Sequence, residues 1–288
     1  MYKIKVFSSF GKSENCKDIW ERLCETKHMA NYGFDKDIYI TNDDDYSHVI
    51  ILNTAMPEIP DRIKKQNVIG LAFEPLPYLN LTDDFIAYAK KNIGKYYIGT
   101  KDLLPDPFIE SYSFMWHMNP YSSIPEKSKI MSLMISRKYD TAGHRYRHDL
   151  AQNIMLNQLP IDIYGNGCNI YSSEYPQIKG EFEEREPYKD YLFHIGIENM
   201  QTKHYFSEKV TNPLLAGCTP IYLGCLNINN YFPNSIINLS GDLKKDLTLL
   251  VHILSNPMQF KKDCELTCVK DKIYLLRNLD EIYDHDVK

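Results

Sequence analysis

The chain has 288 residues, enough for two domains of ~100–200 residues each. It is 43% hydrophobic and 25% charged, ordinary for a globular protein. A formal net charge of −5 and a pI near 6.0 argue against nucleic acid or an anionic membrane as the main partner, because either selects a basic face.

The N-terminal half alternates short β-type runs with helical ones. "YKIKVFSSF" reads as a strand, and "SENCKDIWERLCETK" follows with Cys16, Ile19, Trp20, Leu23 and Cys24 at helical spacing. "DIYIT" is a second strand. "SHVIILN" is a continuous apolar run, as expected of a strand covered on both faces. "IPDRIKKQ" reads as a short helix, "NVIGLAF" as another buried strand, and "TDDFIAYAKKN" as a helix capped by Thr82 or Asp83 with acids in its first turn. "KYYIGT" closes this half. Such alternation favours a parallel α/β sheet. Between about Pro105 and Lys127 the periodicity fades among prolines 105, 107, 120 and 125, so the interdomain linker belongs there. The expected domains are 1–118 and 119–288.

The alternation then restarts. "KIMSLMIS" is a strand, "TAGHRYRHDLAQNIMLN" a helix entered through Gly143, and "IDIYG" a strand closed by Gly165. "YLFHIGIEN", "YFSEKVTNPLLAG", "TPIYLG" and "SIINL" continue as strand, helix, strand, strand. "DLKKDLTLLVHILSN" and "MQFKKDCELTCVKDKIYLLRNL" read as closing helices. The expected fold class is α/β, with two Rossmann-like halves around a cleft.

Seven cysteines, an odd number, in a long chain argue against a disulfide framework. They read as small buried hydrophobes, with Cys264 and Cys268 on one helix face and no second pair to complete a zinc site. "MYKIKVFSSF" enters a strand pattern with no signal-peptide core. No run reaches ~18 apolar residues, so no membrane span is expected. The expectation is a soluble, cytoplasmic protein.

Several chemistries have no motif here. There is no G-x-x-x-x-G-K-[ST] and no G-x-S-x-G, and "YGNGC" at Tyr164–Cys168 has two glycines with no helix pattern directly after it. "NDDDY" at Asn42–Tyr46 has the spacing of a divalent-cation turn, but between two strands it reads as a solvated acidic turn. His117, His144 and His194 lie near candidate elements, where a lone histidine is more often structural.

The stretch from Phe193 to Gly224 is different. "YLFHIGI" ends in Glu198 and Asn199, at the carboxyl end of a strand, where open α/β sheets bind ligands. Ser207 can cap the following helix, placing Glu208 and Lys209 in its first turn. The free N–H groups and positive dipole end there attract an anion, phosphate above all. Lys209 is unfavourable at that end for the helix alone and makes more sense beside a bound diphosphate. The alternative is a surface lysine that snorkels.

"KDYLFHIGIENMQTKHYFSEKVTNPLLAGCTPIYLG" resembles the α1,3/α1,4-fucosyltransferases. Their hallmark is Tyr-Lys-Phe, a strand ending Phe-Glu-Asn-Ser, then Tyr-x-Thr-Glu-Lys and Ala-Gly-x-x-Pro-x-x-x-Gly. The chain supplies Tyr191, Phe193, Glu198-Asn199, Tyr205-x-Ser207-Glu208-Lys209, Ala216-Gly217, Pro220 and Gly224 in the same order. It departs at Ile197, Met200 and Ser207, and Pro213 falls inside the expected helix, where it is expected to kink it.

The resemblance implies a GT-B type glycosyltransferase with two facing Rossmann-like domains, the C-terminal one binding GDP-fucose. It implies that Lys209 contacts the diphosphate, that Glu208 and Tyr205 contact the sugar and ribose, and that Glu198 and Asn199 line the same pocket. It also implies a phosphate-binding arginine in "ISRKYDTAGHRYRHDL", for which Arg145 is the first candidate and Arg147 the second. In the N-terminal half it implies a general base after a strand, and Glu74 of "NVIGLAFEPLPY" fits. The reaction would move L-fucose to a glycan hydroxyl with inversion, α1,3-linked, with no obligatory cofactor or metal. Family members of the Golgi carry an N-terminal membrane anchor, so a bacterial or viral setting is expected here. The competing expectations are another GDP-linked sugar, or a catalytically weak glycan- or nucleotide-binding module.

Overall fold

The computed structural model describes residues 2–22, 38–119 and 121–283. The chain divides into two compact units. The first holds Met1–Asn119, Thr202–Tyr205 and Asp271–Lys288; the second holds Pro120–Gln201 and Phe206–Lys270. Leu23 and Cys24 of the first expected helix lie outside the described residues.

In the first unit the strands are β1 (Tyr2–Ser8), β2 (Ile38–Ile40), β3 (His48–Leu52), β4 (Val68–Leu71), β5 (Lys95–Ile98) and β6 (Phe108–Glu110). They form one sheet in the order β2-β1-β3-β4-β5-β6, parallel throughout. A parallel sheet is covered on both faces, which explains the unbroken apolar runs in β3 and β4. Ile4, Val6, Ile50, Leu52, Ile69 and Leu71 pack on one face with Trp20. Val49, Ile51, Val68, Phe85, Tyr96 and Phe108 pack on the other.

The helices of this unit are α1 (Ser13–Arg22) and α2 (Asp83–Asn92). Thr82 settles the cap of α2, since its side chain accepts from Phe85 N. "IPDRIKKQ" is not the expected helix. Its end forms one 3-10 turn at Lys65–Asn67, and the rest is too short and too charged to bury a face. The acidic turn behaves as a solvated one, with Asp44 and Asp45 paired to Lys5 and Lys3 at 3.0 and 2.5 Å. β6 lies inside the segment read as linker, at the sheet edge after Pro105 and Pro107, where a strand tolerates a neighbouring proline.

In the second unit the strands are β7 (Lys129–Met134), β8 (Asp162–Tyr164), β9 (Ile178–Gly180), β10 (Tyr191–Ile197), β11 (Thr219–Leu223) and β12 (Ile237–Asn238). Their order is β12-β11-β10-β7-β8-β9, again parallel. The helices are α3 (Ala142–Leu156), α4 (Glu186–Lys189), α5 (Glu208–Leu215), α6 (Leu243–Ser255), α7 (Pro257–Phe260) and α8 (Leu266–Ile273), whose last three residues belong to the first unit. A short α9 (Leu279–Tyr283) returns to the first unit. The last expected helix is therefore three pieces. Helix α5 runs through Pro213 to Leu215, leaving the Lys209 carbonyl without an intrahelical N–H from position 213.

Cys16, Cys168, Cys218 and Cys225 are buried, as expected of small hydrophobes, whereas Cys268 is exposed and Cys264 is intermediate. Cys264 precedes α8, so it does not share a helix face with Cys268.

The histidines turn out structural. His144 completes a capping box with Thr141 at the start of α3. His194 on β10 is 1% exposed. The Ser132 hydroxyl donates to Pro187 O at 2.5 Å, so at 2.8 Å it accepts from His194 Nδ1–H. Burial pushes the His194 imidazole down to about 3 from 6.5. Above pH 6.5 neither folded nor unfolded state protonates it. Below 6.5 the unfolded chain takes the proton and the folded one does not, so stability falls with pH across that window. Denaturant unfolding from pH 7 to 4 is expected to show a slope approaching ~1 kcal/mol per pH unit from this group. The slope should be shallower in His194→Asn, which keeps a donor near the Nδ1 position. An unchanged slope in that variant rules the assignment out.

Candidate donor-binding site of the second unit

Strand β10 is buried along its length except at Leu192, so its polar carboxyl end stands out against an apolar body. Glu198 continues the ladder through Glu198 N–H to Leu223 O at 2.8 Å. Its side chain is 1% exposed. An isolated carboxylate there would be costly, and the structure answers with a dense set of donors. Ser207 N–H donates to Glu198 Oε1 at 2.8 Å, and Ser207 Oγ lies 2.9 and 2.8 Å from the two carboxylate oxygens. Tyr222 O–H donates to Oε1 at 3.1 Å. Lys209 Nζ lies 3.7 Å from Oε2. Burial raises the Glu198 carboxyl above its ordinary value against the pull of the Lys209 ammonium.

Ser207 is the cap of α5 and accepts from Lys209 N–H at 3.4 Å. The same residue therefore satisfies the helix end and grips Glu198. Lys209 Nζ donates to Glu208 Oε1 at 2.7 Å and to Ser207 Oγ at 3.2 Å. Burial opposes its charge, but Glu208 and Glu198 outweigh that and hold the ammonium above its usual value. Burial likewise opposes ionisation of Glu208, and the Lys209 ammonium outweighs it, so that carboxyl lies below its usual value. Lys209 thus finds counter-charge within the protein, not only in an external anion. One-fifth of its side chain is exposed.

The second wall is α3. A Cβ on Gly143 would lie 1.8 Å from Glu198 O, so only glycine lets the first turn of α3 approach this strand end. Gly143 N–H donates to Asn199 O at 3.1 Å. One turn further, Arg147 donates from Nη2 to Asn199 Oδ1 at 2.8 Å and is 7% exposed. Arg145 is exposed and donates to the Tyr139 and Asp140 carbonyls at 3.4 and 3.0 Å. The arrangement gathers a lysine, an arginine and the N-terminus of α5 at the carboxyl end of one strand, chemistry suited to an anion.

The structure thus brings Glu198, Asn199, Glu208, Lys209 and Arg147 into one cluster. Arg145 lies on the same helix as Arg147 but points to the backbone of its own N-terminal loop. Tyr205, 5% exposed, is grouped with the first unit, as is half-buried Glu74. Tyr222 was not among the expected residues. A Cβ on Gly224 would meet its hydroxyl at 2.5 Å and Glu198 Cγ at 2.4 Å, so the closing glycine of "TPIYLG" leaves room for that hydrogen bond. A lone tyrosine in an apolar strand, two residues before a glycine, was the available signal.

Residues 124–255 match the family model described as glycosyltransferase family 10 (fucosyltransferase), C-terminal. That segment covers the whole Glu198–Lys209 cluster with Arg147 and Tyr222. An α-(1,3)-fucosyltransferase B of Drosophila melanogaster is 32% identical over 104 residues, 31% of this chain and 21% of the relative. A fucosyltransferase-like protein of Arabidopsis thaliana is 26% identical over 124 residues, 42% of this chain and 23% of the relative. The chain thus spans less than a quarter of the length of these curated relatives. A crystal structure of an α1,3-fucosyltransferase with GDP-fucose shares the fold, with a TM-score of 0.51 at 12% identity over 100% of this chain and 91% of that one. The fold class is the expected one, two parallel-sheet α/β domains. No described helix is long and apolar enough to cross a membrane.

Proposed function

We propose that this chain, whose residues 124–255 carry a glycosyltransferase family 10 C-terminal domain, transfers L-fucose from GDP-fucose to a glycan hydroxyl with inversion. The observation that carries this is Lys209, held between Glu208 and buried Glu198 at the N-terminus of α5, inside the family segment. Lys209 and the α5 N–H groups receive the diphosphate. Arg147, one α3 turn from Gly143 and bonded to Asn199, is the better-placed second phosphate ligand; Arg145 is the alternative. Glu208 and Tyr205 face the sugar and ribose.

In the reaction the bond from the anomeric carbon to the β-phosphate oxygen breaks, and GDP leaves with its electron pair. Negative charge grows on that oxygen, where a fixed ammonium is most valuable. The acceptor oxygen forms the new bond on the opposite face. Glu74, three residues beyond β4, takes its proton as general base. No metal or redox cofactor enters these steps. The linkage proposed is α1,3.

The test separates binding from chemistry. Calorimetry is expected to show GDP binding in the wild type and in Glu74→Gln, while transfer from GDP-fucose falls at least ~100-fold in that variant. Full activity in Glu74→Gln would remove Glu74 from the mechanism. Absence of GDP binding in the wild type would remove the donor assignment altogether.

A further inference from the structure

Strand β11 is buried over all five residues, and a parallel strand covered on both faces is ordinarily apolar. Tyr222 breaks that pattern. It is 1% exposed, and a hydroxyl placed there is costly unless it is bonded. Its two bonds have fixed directions. Cys225 N–H donates to the Tyr222 oxygen at 3.1 Å, so the phenol proton goes to Glu198 Oε1, also at 3.1 Å. Burial, with the Glu198 charge beside it, raises the phenol well above its ordinary value, so it remains a donor.

The directions continue through Ser207. Lys209 N–H and Nζ both donate to Ser207 Oγ, at 3.4 and 3.2 Å, so the serine proton is turned toward Glu198, whose oxygens lie 2.9 and 2.8 Å away. Ser207 N–H donates to Oε1 as well, at 2.8 Å. Two donors of Ser207 and one of Tyr222 therefore converge on a carboxylate with no exposed side-chain surface. Lys209 Nζ stands 3.7 Å from Glu198 Oε2, beyond hydrogen-bond distance. It is bonded instead to Glu208 Oε1 at 2.7 Å, and the Glu208 side chain is 41% exposed. The ammonium thus faces two carboxylates and is held by the open one.

That preference needs a cause, because a buried carboxylate attracts a neighbouring ammonium more strongly than an exposed one does. Tyr222 supplies the cause. A carboxylate served by several neutral donors has less of its charge left to offer. One that is short of a buried donor gains by drawing in the nearest N–H group, and here that group is the Lys209 ammonium.

We infer that Tyr222 is a positioning residue for Lys209: by satisfying Glu198 it keeps the ammonium out on the Glu208 side, where a phosphate can take it. The inference deepens the donor assignment proposed above and rests on it. Tyr222 acts only through Glu198, since its own side chain is closed to any ligand. Without its hydroxyl the Lys209 ammonium settles against Glu198, and a diphosphate has more work to withdraw it.

Double-mutant cycles on the whole protein, read by calorimetry with GDP, test this. Tyr222→Phe, which keeps the ring in place, is expected to weaken GDP binding about three- to tenfold. The same change should alter affinity less than about twofold in a Glu198→Gln background, where no carboxylate competes for the ammonium. It should do as little in a Lys209→Ala background, where there is no ammonium to misplace. A merely structural tyrosine would cost all three proteins alike. No loss on the wild-type background, or a loss that persists in either of the other two, overturns the inference. The two backgrounds are independent, so the cycle stands on Lys209→Ala alone if Glu198→Gln fails to fold. If the wild type binds pyrophosphate but not GDP, the nucleotide assignment falls and the same cycles run with pyrophosphate decide the role of Tyr222. If it binds neither, both fall together.

Discussion

Replacing Glu198 with alanine is expected to cost the folded protein ~3–5 kcal/mol, the range for removing one partner of a buried charge pair. The substitution removes the acceptor for Ser207 N–H, Ser207 Oγ and Tyr222 O–H at once. Each buried donor left unsatisfied adds ~1–3 kcal/mol in isolation, but they share one site, so the losses do not sum. Glu198→Gln should lose less, because the amide oxygen can keep the Ser207 and Tyr222 donors and its NH2 group can donate to Ser207 Oγ, while the charge facing Lys209 is lost. Urea unfolding of the three proteins decides the matter. A loss below ~1 kcal/mol in Glu198→Ala would mean that Glu198 contributes little to holding β10, α5 and β11 together. Tyr222→Phe, which removes one donor and leaves the carboxylate gripped, is the milder control.

Replacing Lys209 with alanine is expected to weaken GDP binding by ~2–3 kcal/mol, a loss of roughly 30- to 150-fold, as for a charge-assisted phosphate contact. The sign of its electrostatics argues for this size. Lys209 keeps its proton against burial because Glu208 and Glu198 face it, so the ammonium is charged and fixed before any ligand arrives. Glu208 and Glu198 offset the charges of Lys209 and nearby Arg147, and a diphosphate must draw Lys209 away from Glu208. Glu208→Gln removes the competing charge but keeps a hydrogen-bonding side chain on the sugar and ribose side, so it is expected to weaken GDP binding far less than Lys209→Ala does. Calorimetry on the two variants separates phosphate recognition from simple helix stabilisation. Equal losses in both would assign the pair to α5 stability instead.

Much of the architecture follows from local patterns. Continuous apolar runs such as "SHVIILN" and "YLFHIGI" are legible as buried parallel strands because a covered sheet needs apolar residues on both faces. The caps Thr82 and Ser207 are legible because a helix leaves N–H groups that a hydroxyl satisfies. Of the short edge strands, β2 and β12 were legible in "DIYIT" and "SIINL", whereas β6 and β9 were not. β9 and β6 have three residues each, too few to carry a period, and each exists because the neighbouring strand supplies its hydrogen bonds. The closing helix broke for a similar reason: periodicity alone does not register where packing ends.

At the candidate site, the sequence by itself determined the kinds of residue and their order: a carboxylate and an amide at a strand end, then hydroxyl, carboxylate and ammonium at a helix start. Those are local facts, set by a few residues of neighbouring chain. Only the tertiary structure decided between Arg145 and Arg147 as neighbour of Asn199, because the choice depends on how closely α3 approaches β10, and Gly143 sets that distance. It likewise decided that Tyr222, from the next strand, joins Glu198. Contacts of that span are fixed by strand order in a sheet, which no local period records.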